Sequence, residues 1–97
     1  MTPEVIQTVV LDVLKEVQEL SGRKWEGLPV GGKPIGALPG FDSLCSIEAT
    51  VLLEQKLGTA PLGASSLFIS DDGKRALTLP EISHRIHKLI TQRGNNE

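Results

Sequence analysis

Three consecutive residues carry the clearest chemical signal in this chain. Asp42, Ser43 and Leu44 follow a Gly- and Pro-rich run and open an apolar pattern of helical period, in the stretch GFDSLCSIEATVLLEQKLG. Asp42 and Ser43 are both good helix starters, and Asp42 can accept a backbone N–H of the first turn. A serine hydroxyl there is also a favourable point to attach a phosphate. The free N–H groups and the positive end of the helix dipole would stabilise the anion. A nucleophilic role is disfavoured, because a triad needs a base, an orienting carboxylate and oxyanion donors. His84 and His87 are remote in sequence, and no orienting carboxylate or oxyanion hole is evident beside Ser43. The tripeptide consists of common residues, so by itself it does not decide between a helix starter and an attachment site.

Other chemistry-bearing residues are weaker. Cys45, the one cysteine, sits at a helix start where a thiol pKa can fall. A lone free cysteine more often acts as a small hydrophobe, and that role is expected. GLPVGGKP, residues 27–34, places Gly27, Gly32 and Lys33 at the spacing of a nucleotide-binding loop. Pro34 stands where the magnesium-binding hydroxyl belongs, and neither flanking element fits. His84 and His87 lie one helical turn apart, but a metal site needs three or four ligands. A solvated face of a helix is expected there. No metal site and no catalytic residue are expected.

The elements that must position Ser43 follow from periodicity. Ile6, Val9, Val10, Val13, Leu14, Val17 and Leu20 recur at helical steps, so residues 3–20 form a first helix. Thr2 caps it, Pro3 suits its first position, Glu4 its positive end, and Gly22 its termination. Residues 22–40 are a long loop, punctuated by glycine and proline, with Trp25, Leu28, Val30, Ile35 and Leu38 available to pin it to the core. Residues 43–57 form a second main helix ended by Gly58. Residues 59–77 are irregular, with a turn at Asp72-Gly73 that fits either a small hairpin or a helical turn. A last helix starts near Thr78, with Thr78 and Glu81 as a capping box and Ile82, Ile86, Leu89 and Ile90 as its stripe. RGNNE reads as a frayed tail. The expected fold is all-α: a small single-domain bundle, residues 1–97, of three main helices and a short irregular or helical segment, with a long loop between the first two helices.

Composition narrows the function classes. The chain of 97 residues has a net charge of −2 and interspersed charges, against the basic face a nucleic-acid binder needs. Aromatics make up 3%, too few for base-stacking platforms. No apolar run approaches the roughly 20 residues of a membrane span. One cysteine excludes an internal disulfide and, with no secretory pattern at the N-terminus, fits a reducing cytoplasm; a monomer is expected.

The second main helix has two apolar stripes. Ala49, Leu53 and Leu57, with Thr50, fall on one side. Leu44, Ile47 and Val51 fall roughly opposite, edged by Glu48 and Gln55. A small domain buries one stripe per helix. Either the long loop covers the second, or it docks partners.

The stretch resembles the attachment site and second helix of acyl carrier proteins. Asp42, Ser43, Leu44, Glu48, Leu53, Glu54, Leu57 and Gly58 take the places of that family's motif, and the helix order agrees along nearly the whole chain. The resemblance implies that Ser43 carries 4′-phosphopantetheine, transferred from coenzyme A by a phosphopantetheinyl transferase, with an acyl group held as a thioester. It implies a small bundle of the acyl-carrier type that is a carrier and not an enzyme. It implies that Asp42, Leu44, Ile47, Glu48 and Val51 meet partners, namely acyl-transferring or synthase enzymes of fatty-acid, polyketide or specialised lipid synthesis. An apolar cavity between helices would shelter the cargo. Cys45, Gln55 and Lys56 stand where acids are common in the family, which points towards a specialised carrier. A peptidyl carrier has the same chemistry. An interaction module of the same fold, with Ser43 unmodified, is the alternative from another class.

Overall fold

The computed structural model describes residues 2–29, 31–59, 66–70 and 72–95. Val30, residues 60–65 and Asp71 lie outside the described residues, so the expected pinning by Val30 and the loop at 60–65 are not addressed.

The first helix, α1, spans Pro3–Leu20. Thr2 caps it by accepting the Val5 N–H on its side chain at 3.3 Å. It ends at Gly22, whose φ of 74° is the left-handed conformation that glycine adopts without strain. The Arg23 N–H returns to the Gln18 carbonyl at 2.8 Å, closing the helix end. Ile6, Val10, Val13, Leu14 and Val17 are buried as the periodicity requires. Leu20, the last residue of α1, is not: it is 78% exposed.

The 22–40 connection is mostly irregular, but it contains one turn, α2, at Pro34–Ala37. Ile35 and Gly36 depart from helical angles inside it, so it is a tight turn rather than a regular helix. Leu38 and Pro34 are buried, and Trp25, Leu28 and Ile35 pack partly against the core. Of the apolar residues expected to pin the connection, Trp25, Leu28, Ile35 and Leu38 do so.

The main helix α3 spans Ser43–Leu57 and stops at Gly58, in the left-handed conformation at φ 69°. The Thr59 N–H bonds the Glu54 carbonyl at 3.0 Å, again satisfying a terminal acceptor. The last helix, α4, spans Leu79–Asn95. It continues through Gly94, where a frayed tail was expected; one glycine costs a helix only about 1 kcal/mol relative to alanine. Glu81 Oε1 accepts the Thr78 N–H at 2.9 Å, one half of the expected capping box.

Between α3 and α4, Ile69 and Ala76 form a single antiparallel bridge. It is flanked by Ser70 N–H to the Arg75 carbonyl and Leu77 N–H to the Phe68 carbonyl, both 2.9 Å. The segment is therefore a minimal hairpin-like turn and not a helical one. Among the described residues the fold is a small all-helical bundle with no strand longer than this bridge. No helix among them is long and apolar enough to cross a membrane.

α1 packs against both α3 and α4. The core joins Ile6, Val10, Val13 and Leu14 of α1 to Ala49 and Leu53 of α3 and to Ile82 and Ile86 of α4. Leu67 and Phe68 complete it from the irregular segment. Phe68 meets Phe41 edge-on, with ring centroids 5.7 Å apart.

Candidate functional site

Ser43 is the first residue of α3, and it is exposed. Asp42 is the cap: its Oδ1 accepts the Cys45 N–H at 3.0 Å. That bond, first among several to the α3 start, holds the Asp42 carboxyl below its ordinary value of 3.8. The capping task thus falls to Asp42, and among the described residues Ser43 Oγ makes no hydrogen bond. An exposed, unengaged hydroxyl at the positive end of a helix fits a phosphodiester substituent.

Leu44, Ile47, Glu48 and Val51 are all exposed. At about 100° per residue they share with Ser43 an arc of about 140° on α3. Leu44, Ile47 and Val51 are 72%, 43% and 48% exposed. The long connection therefore does not cover the second stripe; its apolar residues turn inward to the core instead. The opposite face of α3 is buried through Ser46, Ala49, Thr50 and Leu53.

Cys45 lies about 200° around the helix from Ser43, away from the exposed face that Ser43 shares with Leu44, Ile47 and Val51. Its thiol is half-buried, donates to the Gly40 carbonyl at 3.6 Å and accepts from Arg23 Nη1 at 3.7 Å. It is a packed side chain that ties the α3 start to the preceding loop.

Periodicity passed over two residues that hold this region. Gln18 is fully buried on α1, and its Nε2 donates to the Pro39 carbonyl at 2.8 Å. Arg23 Nη1 donates to Gln18 Oε1 at 3.2 Å, and its guanidinium lies over Gly40. A Cβ on Gly40, whose φ of 67° is left-handed, would run into the Arg23 guanidinium, so the position favours glycine. Gln18 occupies a position on the apolar side of α1, and that was the one sequence clue to its burial.

Buried hydroxyls anchor the other side of α3. Thr50 Oγ1 donates to the Ser46 carbonyl at 2.8 Å and accepts the Leu67 N–H at 2.9 Å. Ser46 Oγ lies 2.9 Å from Ser66 Oγ. Arg85, from α4, donates to the Ser66 carbonyl at 3.2 Å and to the Ile69 carbonyl.

Two grooves open on the α1–α3 connection. One, of about 400 Å³, is lined by residues 36–42 and so reaches Asp42. The other, of about 340 Å³, is lined by Lys24, Glu26, Gly27 and Leu28 together with Ala37 and Leu38. Both lie outside the helix interfaces, where Val10, Leu14, Leu53 and Ile86 are fully buried.

The nucleotide-loop spacing finds no matching frame: residues 23–29 have no regular structure, and Lys33 is exposed ahead of the single turn α2. His84 is exposed and His87 half-buried on α4. No group of three metal-ligating side chains occurs among the described residues.

The fold and this site define a small helical bundle that presents an exposed serine beside an exposed apolar helix face. No protein-family model, curated protein or solved structure matches the chain.

Proposed function

We propose that this protein is an acyl carrier, not itself an enzyme, with Ser43 as the attachment point for 4′-phosphopantetheine. The observation that carries this reading is the division of roles at the start of α3. Asp42 takes the cap, which leaves the Ser43 hydroxyl exposed and, among the described residues, without a hydrogen bond. The group would supply a terminal thiol that holds an acyl chain as a thioester. The chain's own residues hold and present it. The α3 start stabilises the anion, and Asp42 keeps the first turn closed.

Leu44, Ile47 and Val51, with Glu48 at their edge, form the face that meets a phosphopantetheinyl transferase and then acyl-transferring or synthase enzymes. A small apolar patch rimmed by polar groups suits such transient contacts. The near-neutral charge of the chain fits a specialised polyketide or lipid carrier, or a peptidyl carrier, working in the cytoplasm as a monomer.

The same exposed face also suits an interaction module with Ser43 unmodified. Incubation with coenzyme A and a broad-range phosphopantetheinyl transferase, followed by intact-mass measurement and peptide mapping, separates the two. The carrier gains one phosphopantetheine on Ser43, and Ser43→Ala gains none while its melting temperature stays the same. A folded chain that gains no mass beside an active control transferase is the interaction module. In that case Leu44→Ala or Val51→Ala weakens partner binding and Ser43→Ala does not.

A further inference from the structure

On the carrier reading above, we infer that the substituent of Ser43 lies in the trough along the α1–α3 connection, and not between the helices. The two grooves share Ala37, Leu38 and Pro39 as lining, so they adjoin along one stretch of chain. The near end reaches Asp42, whose neighbour is Ser43. The far end is walled by Lys24, Glu26, Gly27 and Leu28. Each volume, about 400 and 340 Å³, falls in the range of about 300–1,000 Å³ that small organic ligands occupy.

The chemistry of the trough matches an arm that carries amide groups and ends in an acyl chain. Leu28, Ala37 and Leu38 offer an apolar lining. The backbone N–H and C=O groups of residues 24–28 make no hydrogen bond among the described residues. Unpaired peptide groups of this kind take hydrogen bonds from an amide-bearing ligand. An open groove would hold such a ligand only weakly from solution. A tether at Ser43 changes this, because it makes binding intramolecular and raises the effective concentration. The space between the helices offers less. Ile6, Val10, Val13, Ala49, Leu53 and Ile82 fill it with no exposed surface, and an acyl chain would have to displace them.

The test compares backbone amide shifts of the isotope-labelled full chain in three states: unmodified, loaded from coenzyme A, and loaded from hexanoyl-coenzyme A. Intact mass confirms each loading. The trough predicts shifts at Gly27, Leu28, Ala37 and Leu38 in addition to those beside Ser43, with larger changes at Leu28 for the hexanoyl form. Ala37 has an exposed side chain and lines both grooves, so Ala37→Phe obstructs the trough. That variant should still load on Ser43 but lose the shifts at Gly27 and Leu28. The comparison on the unsubstituted chain stands without it if the variant misfolds. Loading with shifts confined to the start of α3, or centred on Leu53, Ile82 and Ile86, overturns the trough and leaves the carrier reading intact. No mass gain overturns both.

Discussion

At the start of α3, the Asp42 carboxylate takes the cap and leaves the Ser43 hydroxyl exposed, and pH acts on the first. The Cys45 N–H, with the other bonds at the α3 start, holds Asp42 below its ordinary 3.8. Asp72 is lowered chiefly by the Ser70 hydroxyl, and Glu81 chiefly by the Thr78 N–H. Each pKa is depressed in the folded state. Their contribution to stability is therefore present above the ordinary carboxylate values and is lost as pH falls through the folded ones. The melting temperature should hold steady down to about pH 5 and decline below about pH 4. In Asp42→Asn, which keeps an acceptor oxygen but does not titrate, that acid decline should be shallower by thermal scans across the range. The Asp42 cap was legible in the sequence, because capping is local chemistry within a few residues. Gln18 and Arg23 were not. Their partners, Pro39, Gly40 and Cys45, are brought in only by the folded connection. A pattern built on apolar residues passes over a buried glutamine.

At the scale of the element, α3 has one buried face and one exposed apolar face. Leu53 is fully buried, so Leu53→Ala should cost about 2–5 kcal/mol. Val51→Ala, on the exposed face, should change stability by less than about 0.5 kcal/mol and, on the proposed function, weaken partner binding instead. Chemical denaturation of the two variants beside a binding assay reads the contrast. The sequence displayed both stripes but could not say which was covered. That depends on where Trp25, Leu28, Ile35 and Leu38 direct the connection, and they turn to the core. Thr50 carries a second role on the buried face. Thr50→Val keeps the shape but leaves the Leu67 N–H without its acceptor, which should cost about 1–3 kcal/mol by the same denaturation measurement. The sequence placed Thr50 on the correct side. Its bond to a residue 17 positions away was not legible, and neither was the Ile69–Ala76 bridge, which rests on pairings across a turn.

For the whole molecule, α1 is the shared support. It packs on α3 and on α4, and through Gln18 it also holds the loop that leads to Ser43. The order of the helices was legible because each carries its own caps and period, while this radial arrangement emerged only from packing. It has a consequence for how the protein opens. The irregular residues 23–29 can exchange amide hydrogens through small local excursions, but α1 cannot separate without releasing both neighbours. Amides at Val10, Val13 and Leu14 should therefore exchange with deuterium only through complete unfolding, at the slowest rate in the molecule. Amides in residues 24–28, which make no hydrogen bond among the described residues, should exchange almost at once. Exchange mass spectrometry would read this as two populations of protection. The slow one would report the free energy of the entire fold from a single helix.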